Sequence, residues 1–343
     1  MKNNIAINGR CFTRRITGVE RYSHEISRRL SSARIIQPKN NPGQISGNLW
    51  EQLVLPIQIR QNEILFSPAN AGPWIVHNQI ITIHDASVFD HPEWFKPSFA
   101  AWTRLSWKIL SKRVKAIITV SNFSRERLIH HLQIPENRIH VIPNGVGKPF
   151  EPQSQTEIDA VKTKYNLNKP YFLFVGTNEP RKNLAALIQA WESLNSKTHI
   201  LFFAGAKGKV FGSSKESHAA SVTYISDEDL PALYSGAAAF VMPSFYEGFG
   251  LTALEAMACG APVIASDISA FRELFKDKVL FANPHKSNEF ANAMQQVIED
   301  KTLARVLCEQ GLIHAAGFSW DESAQKTKEI ICKTGHSQIE DHS

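Results

Sequence analysis

The 343-residue chain has few cysteines, no long apolar run and no leader-like start. Its four cysteines (Cys11, Cys259, Cys308, Cys332) are far apart and form no CxxC pair, which argues against a disulfide framework or a zinc site and indicates a reducing compartment. No run of about 20 apolar residues occurs, so no segment is predicted to span a membrane. The N-terminus lacks the apolar core of a signal peptide. We therefore expect a cytoplasmic protein.

The length and the charge distribution predict two domains. Residues 1–150 contain 20 Lys+Arg and 9 Asp+Glu, a net charge of +11, whereas residues 151–343 contain 18 and 23, a net charge of −5. We place one domain at 1–150 and the other at 151–319, with a final helix at about 320–333 that returns to the first. The basic half could meet anionic lipid headgroups or an anionic acceptor, or could simply be solvated. It contains no recognised nucleic-acid module, so nucleic acid is not expected.

Short apolar runs that alternate with helical patterns predict a parallel α/β architecture. The predicted strands are 5–7, 64–67, 80–85, 116–121, 139–143, 171–176, 199–205, 222–226, 238–244, 262–266 and 279–282. The predicted helices are 19–31, 98–113, 122–132, 182–194, 227–235, 250–259, 286–299, 301–315 and 320–332. Residues 147–170 form the crossing between domains, with one short helix. Two doubly wound domains joined once would form a cleft at their strand ends, where such sheets bind ligands.

The most informative segment, residues 243–266 (PSFYEGFGLTALEAMACGAPVIAS), contains two glutamates. Glu247 precedes the predicted helix and Glu255 lies within it, so the helical geometry separates the carboxylates by only ~8–10 Å. A helix start favours an anion, and ionised carboxylates accept hydrogen bonds from hydroxyls. A sugar nucleotide supplies both the anion and the hydroxyls, because its diphosphate lies between two hydroxylated rings.

Two cations follow the strand that opens the second domain, in GTNEPRKN (176–183). Arg181 and Lys182 would lie at a helix start on the same sheet edge as Glu247. Fixed cations next to free N–H groups can hold a diphosphate. A solvated basic pair is the alternative, but cations are mildly unfavourable at a helix N-terminus.

Two further segments of the first domain are candidate site residues. His84 and Asp85 end the predicted strand 80–85, where His84 could contact a sugar hydroxyl or carry a proton and Asp85 would orient local backbone. Gly18 would allow close approach of a phosphate or sugar at a helix start. Arg14, Arg15 and Tyr22, around it, are candidates for the acceptor side.

Asp227, Glu228 and Asp229 match the D-x-D pattern with which some sugar-nucleotide enzymes hold a divalent metal. They follow Ser226, a good N-cap, and acidic residues suit the first turn of a helix. We therefore interpret them as helix capping and expect neither a metal nor another cofactor.

Together these segments resemble the nucleotide-sugar glycosyltransferases of the GT-B fold, in the large retaining family four. The resemblance is carried by ITGVERYSHEI (16–26), ITIHD (81–85), ITVSNFS (118–124), VIPNG (141–145), FLFVGTNEPRKN (172–183) and residues 243–266. They occur in the expected order over nearly the whole chain. Family members often have Asp where this chain has Gly147, and Gly where it has Ser226.

The resemblance implies a role for each candidate residue. Glu247 would lie by the donor sugar, Glu255 would accept from the ribose hydroxyls, and Arg181 and Lys182 would bind the diphosphate leaving group. His84 would lie near the transferred sugar and Gly18 near the donor phosphates. Backbone N–H groups near Phe249, Gly250 and Leu251 would complete the phosphate site.

The reaction implied is hexosyl transfer from a nucleotide sugar to a hydroxyl of a lipid-linked or polysaccharide acceptor. The segments GVERYSHEI and GNLWEQLVLP resemble enzymes of bacterial surface polysaccharides, which favours mannose from GDP-mannose; UDP- and dTDP-sugars remain alternatives. A sugar-nucleotide epimerase and a non-catalytic donor-binding subunit are rivals. A Rossmann dehydrogenase is disfavoured because GxGxxG is absent after the first strand. Contact with an anionic inner membrane face is also expected.

Overall fold

The protein divides into two compact units. The structure is a computed structural model, and it describes residues 4–14, 16–205, 219–222 and 225–336. The first unit contains the chain up to Gly145 and again from Ser319, and the second runs from Val146 to Phe318. No helix within the described ranges is long and apolar enough to cross a bilayer.

A six-stranded parallel sheet forms the centre of the first unit. Its strands are β1 Asn4–Asn8, β2 Arg34–Ile36, β3 Glu63–Ser67, β4 Gln79–Thr82, β5 Ala116–Thr119 and β6 Ile139–Val141. They lie in the order β2-β1-β3-β4-β5-β6. Strands β3, β4 and β5 are buried throughout, as expected for a parallel sheet covered on both faces. The direction in which the sheet grows reverses between β1 and β3, which creates a switch point where such folds bind ligands.

Helices cover both faces of this sheet. They are α1 Gly18–Arg29, α2 Gln44–Leu49, a π-helical turn Trp50–Val54, α3 Leu55–Gln58, α4 Ser87–Asp90, α5 Pro97–Arg113, α6 Asn122–Leu132 and the C-terminal helix Trp320–His336. We call the three consecutive segments from α2 to α3 the helical stretch 44–58. Right-handed crossovers place this stretch, α5 and α6 on one face and α1 on the other. The C-terminal helix packs against α1 and is joined to it by an ion pair between Asp321 and Arg29.

The second unit has its own six-stranded parallel sheet. Its strands are β7 Tyr171–Val175, β8 Ile200–Ala204, β9 Ala219–Val222, β10 Ala239–Met242, β11 Val263–Ser266 and β12 Leu280–Ala282. The order β12-β11-β10-β7-β8-β9 puts the switch point between β7 and β10. Its helices are α7 Gln155–Lys164, α8 Leu184–Leu194, α9 Leu230–Ser235, α10 Leu251–Ala258, α11 Ser269–Phe275, α12 Ser287–Glu299 and α13 Lys301–Ala315. The C-terminal helix of the first unit is numbered α14. Phe172, Phe174 and Phe203 pack with α8 and α12 in its core.

The predicted class, two parallel α/β units with a final helix that returns to the first, is confirmed. The helix expected in the crossing is α7, and a capping box between Ser154 and Glu157 starts it. The predicted strand 222–226 lies partly outside the described residues, and the strand observed there is β9. Two predicted helices begin later than expected: 182–194 begins at Leu184, and 227–235 begins at Leu230.

Candidate active site

Two loops meet at the switch point of the second unit. One follows β7 and contains Arg181 and Lys182; the other follows β10 and contains Glu247. Since β7 and β10 are parallel neighbours, their carboxyl ends lie side by side. The backbone N–H of Phe245 donates to the Arg181 carbonyl at 2.9 Å, which fastens one loop to the other. The predicted convergence of these residues on one sheet edge is therefore observed.

Glu247 lies at the centre of the group that it forms with Arg181 and Lys182. Its Oε2 pairs with Arg181 Nη1 at 2.6 Å, and its Oε1 pairs with Lys182 Nζ at 2.7 Å. The Ser244 hydroxyl donates to Oε1 at 2.9 Å. An ionised carboxylate has about four acceptor positions, so these three contacts leave room for one more donor, such as a sugar hydroxyl.

The two cations keep Glu247 ionised. Burial alone would raise the pKa of Glu247, but the positive charges of Arg181 and Lys182 and the hydrogen bonds outweigh it, so its pKa lies below the ordinary value. Glu247 is therefore ionised at neutral pH and cannot act as an acid there. Arg181 and Lys182 both pair with this buried carboxylate, and a second carboxylate, Glu179, lies 3.7 Å from Arg181 Nη2. A diphosphate would meet two cations that Glu247 already holds in fixed positions.

Asn183 and Ser244 hold the group in place, and the sequence analysis missed both. Asn183 adopts a left-handed backbone conformation (φ 52°), and its side-chain amide donates to the Pro243 and Pro284 carbonyls at 3.0 and 2.7 Å. Asparagine tolerates this conformation better than most residues, which separates the 3₁₀ turn Pro180–Lys182 from α8. An Asn directly before an apolar helix and a Ser two residues after a buried strand were the available signals.

The Gly-Phe-Gly turn leads into α10, as predicted. Gly250 has φ 100°, and a Cβ there would come within 2.7 Å of Phe271 Cε1, so both the backbone and the packing require glycine. The N–H groups of Ala253 and Leu254 bond to the Gly250 carbonyl, so α10 begins at Leu251 without a side-chain cap. The first N–H groups of a helix have no partner within it and can bind phosphate oxygens.

Glu255 lies inside α10 and is almost completely buried. The Tyr234 hydroxyl donates to its Oε2 at 3.3 Å. Its predicted contact with ribose hydroxyls therefore stays a prediction, and Tyr234 is a partner that the sequence did not suggest.

His84 belongs to the first unit, in the loop after β4. Its Nε2 lies 3.0 Å from the Pro68 carbonyl, and because a carbonyl only accepts, Nε2 carries the proton and Nδ1 is left as an acceptor. Burial lowers the pKa of His84, although the Pro68 carbonyl and the nearby carboxylates oppose it. The neutral ring can thus accept a hydrogen bond from a hydroxyl through Nδ1. Asp85 accepts from the Ser87 N–H at 2.8 Å, the backbone role expected of it.

The prediction that Tyr22 lines the acceptor side is wrong. Its side chain is completely buried, its hydroxyl lies 3.0 Å from Thr82 Oγ1, and its ring packs edge-on against His84 at 4.7 Å between centroids. Burial raises its pKa to about 12, so it stays neutral. Tyr22 faces the core because α1 places it on the sheet side, and it helps to position His84. Arg14 is exposed, and Arg15 lies outside the described residues.

Asp229 has structural partners. Its Oδ2 accepts from Lys164, Tyr165 and Ser226 at 2.6, 2.6 and 2.7 Å, which holds the start of α9 against α7. The predicted helix 227–235 begins only at Leu230, because residues 227–229 form a turn closed by Ser226. Within the described ranges no group of three or more His, Cys, Asp and Glu side chains could hold a metal ion.

Gly18, the first residue of α1, offers a test that separates ligand approach from folding. A Cβ there would have no atom within 4 Å, so Ala fits the free protein. Gly18→Ala should raise the free energy of unfolding by about 0.4–1 kcal/mol, because it restricts the unfolded chain. If a donor phosphate approaches this backbone, the same methyl group should weaken donor binding about tenfold or more. Urea unfolding and donor titration measure the two effects.

Gly43→Ala is the matched control for that test, since a Cβ there would lie 3.7 Å from Ser46 Oγ, an ordinary contact. It should leave donor binding unchanged. Unchanged donor binding and turnover in Gly18→Ala would contradict the predicted role of Gly18.

Comparison with known proteins identifies the family of the chain. Residues 155–312 match the family described as Glycosyl transferases group 1, and residues 65–147 match Glycosyltransferase Family 4. O-antigen chain mannosyltransferase B of Escherichia coli is 30% identical over 361 residues, covering 91% of this chain and 95% of that protein. O-antigen chain mannosyltransferase RfbU of Salmonella typhimurium is 28% identical over 255 residues, covering 72% of this chain and 68% of that protein.

Solved structures show the same fold. HepE of Anabaena, crystallised with UDP and glucose, has a TM-score of 0.78 at 17% identity, with 96% of this chain and 99% of that chain covered. WaaG, a glycosyltransferase involved in lipopolysaccharide biosynthesis, has a TM-score of 0.74 at 16% identity, with 95% and 99% covered. The chain thus has the GT-B fold of a sugar-transferring enzyme. It belongs to glycosyltransferase family 4 and is a hexosyltransferase.

Proposed function

We propose that the protein is a retaining mannosyltransferase that moves mannose from GDP-mannose to a hydroxyl of a lipid-linked or polysaccharide acceptor. The group of Arg181, Lys182 and Glu247 at the switch point carries the proposal. It supplies cations for a diphosphate and a carboxylate for a sugar hydroxyl on one rigid sheet edge. The two mannosyltransferase relatives, which act on O-antigen chains according to their names, support the choice of sugar and acceptor.

In the proposed reaction the acceptor oxygen bonds to the anomeric carbon on the face from which the nucleotide leaves. The bond from that carbon to the diphosphate breaks, and its electron pair goes to the leaving nucleoside diphosphate. The acceptor proton passes to a departing phosphate oxygen, so no strong side-chain base is required. Arg181 and Lys182 stabilise the charge that develops on the leaving group, and their fixed positions make this term large.

Glu247 has two proposed tasks that follow from its contacts. It holds the Arg181 and Lys182 side chains in place before the donor arrives, which reduces reorganisation during the reaction. Its remaining acceptor position would bind a hydroxyl of the donor sugar. His84 would accept from another sugar hydroxyl through Nδ1. With two cations at the diphosphate, the reaction is proposed to be metal-independent.

A thermal-shift panel tests the donor. We expect GDP and GDP-mannose to stabilise the protein more than UDP, dTDP and their sugars, without added metal. A ligand at 100 times its Kd should raise the free energy of unfolding by about 2.7 kcal/mol, which is enough to rank the bases. Stabilisation by UDP or dTDP compounds and not by GDP would contradict the proposed donor, and a requirement for a divalent ion would contradict metal independence.

Transfer assays separate the rivals. Formation of an α-mannoside from the α-linked donor, seen by NMR, is the expected result. A change of the sugar nucleotide without any acceptor would indicate an epimerase. Tight donor binding with no transfer to any acceptor, including lipid-linked oligosaccharides, would indicate a non-catalytic subunit.

A further inference from the structure

Exposed apolar side chains are concentrated on one part of the first unit. Eight of the eleven large hydrophobic residues with exposed side chains in the described part of the chain lie on the helical stretch 44–58, the loop after β3, and α5. Four of them, Ile45, Leu49, Leu53 and Ile57, recur at every fourth position and are 78%, 55%, 62% and 84% exposed. We call these four residues the apolar stripe. Apolar patches of this kind mark interaction surfaces.

The stretch 44–58 and α5 belong to one continuous surface. Trp74 joins them: its backbone N–H donates to Gln52 Oε1 at 2.9 Å, and its ring lies 5.0 Å from the Trp102 ring of α5. Arg113 Nη1, at the end of α5, donates to the Trp74 carbonyl at 3.0 Å. Ile75, next to Trp74, is exposed between the two helical segments. Both segments lie on the same face of the sheet.

The charges of this surface have one sign. From residue 37 to residue 84 the only carboxylates are Glu51 and Glu63, and both are buried. From residue 94 to residue 125 there is no carboxylate at all, whereas α5 and its flanks carry Lys96, Arg104, Lys108, Lys112, Arg113 and Lys115. The stretch 44–58, which carries the apolar stripe, has one charged residue, Glu51, and that residue is buried. An apolar stripe next to cations, with no exposed acid in either segment, complements an anionic lipid surface.

We infer that this surface docks the protein on an anionic lipid bilayer, with the apolar stripe inserted at the headgroup boundary and the α5 cations on the headgroups. Trp74 and Trp102 lie between the two regions, and tryptophan suits the boundary of a bilayer. A second copy of the chain is a poorer occupant, because a two-fold interface would place the cations of α5 against themselves. The inference extends the proposed function, since a lipid-linked acceptor is presented at a membrane surface.

Vesicle sedimentation with three proteins tests the surface. We expect the wild type to bind vesicles that contain phosphatidylglycerol and not vesicles of phosphatidylcholine alone. The triple variant Leu49→Ser, Leu53→Ser, Ile57→Ser should lose vesicle binding by about a hundredfold or more, because each buried apolar side chain contributes substantially to insertion. The pair Lys108→Gln and Lys112→Gln should weaken binding by about tenfold or more and reduce its salt dependence.

Matched controls show whether the effect belongs to this surface. Ile313→Ser removes an equally exposed apolar residue from α13, and Lys328→Gln removes an exposed cation from α14, on the opposite face of the first-unit sheet. Both should bind vesicles as the wild type does. The single variant Ile57→Ser should show a partial loss, and unfolding midpoints should show that every variant is folded.

Other outcomes would overturn the inference. Equal binding of the wild type to both kinds of vesicle, or unchanged binding by the triple variant, would exclude docking by this surface. Sedimentation velocity that shows a wild-type dimer and a monomeric triple variant, without vesicle binding, would assign the surface to a second copy. The donor thermal shift should be the same in all variants, so failure of lipid docking and failure of the proposed donor are distinguishable.

Discussion

Arg181→Ala should lower the rate of sugar transfer by about 100- to 1000-fold, which corresponds to about 2.7–4 kcal/mol of transition-state stabilisation. The guanidinium is fixed by Glu247 at 2.6 Å and would lie at the leaving diphosphate before the bond breaks. Its contribution should be largest when charge develops on that group, so kcat should fall more than donor affinity. Steady-state kinetics with a saturating acceptor measure both terms.

Arg181→Lys and Arg272→Ala are the controls for this prediction. Lysine keeps the charge but loses the planar fork, so an intermediate loss is expected. Arg272 pairs with Asp267 on the surface of the same unit, and its loss should leave kcat unchanged. Near-wild-type turnover of Arg181→Ala, with the donor base identified independently, would show that this residue does not stabilise the leaving group.

The second-unit site was predictable because its geometry follows from strand order. Two loops after adjacent parallel strands must meet at their carboxyl ends, so Arg181 and Glu247 could be brought together from the sequence alone. The ion pairs between them were not predicted. Both cations were assigned to the diphosphate, although a buried carboxylate beside them must be paired to remain ionised. Asn183 and Ser244, which hold the group, are single polar residues without a periodic signal.

The first unit was less predictable at its surface than in its core. The apolar runs of β1, β3, β4, β5 and β6 identified five of the six strands of the sheet, whereas β2 was not predicted. Tyr22 was assigned to the acceptor side, but Tyr22 and Ile26, four residues apart on one face of α1, are both buried against the core. The helical stretch 44–58 was missed because Gly47 and Pro56 interrupt it and because apolar residues lie on both its exposed side and its buried side, so that the contrast between an apolar and a polar face is lost.

Glu51→Ala should lower the free energy of unfolding by about 3–5 kcal/mol, because it would leave a buried arginine without its counter-ion. Glu51 lies on the inner side of the stretch 44–58, opposite the apolar stripe. Its Oε2 pairs with Arg10 Nη1 at 3.0 Å, and its Oε1 accepts from Asn8 Nδ2 at 2.7 Å. Asn8 ends β1, so this pair anchors the stretch at the switch point of the first sheet. Urea unfolding followed by tryptophan fluorescence measures the loss.

The double variant Arg10→Met, Glu51→Leu separates the charge from the packing. Removing both partners of a buried ion pair is often neutral or stabilising, so most of the stability lost in Glu51→Ala should return. Glu25→Ala removes the partner of the more exposed Arg28 and Arg29 on α1, and it should cost only about 0.2–1 kcal/mol. If Glu51→Ala were as mild as Glu25→Ala, Arg10 would have to reach water, and the anchor of the stretch 44–58 would lie elsewhere. If only Glu51→Ala also lost vesicle binding, while Glu25→Ala kept it, the same pair would position the apolar stripe for the bilayer.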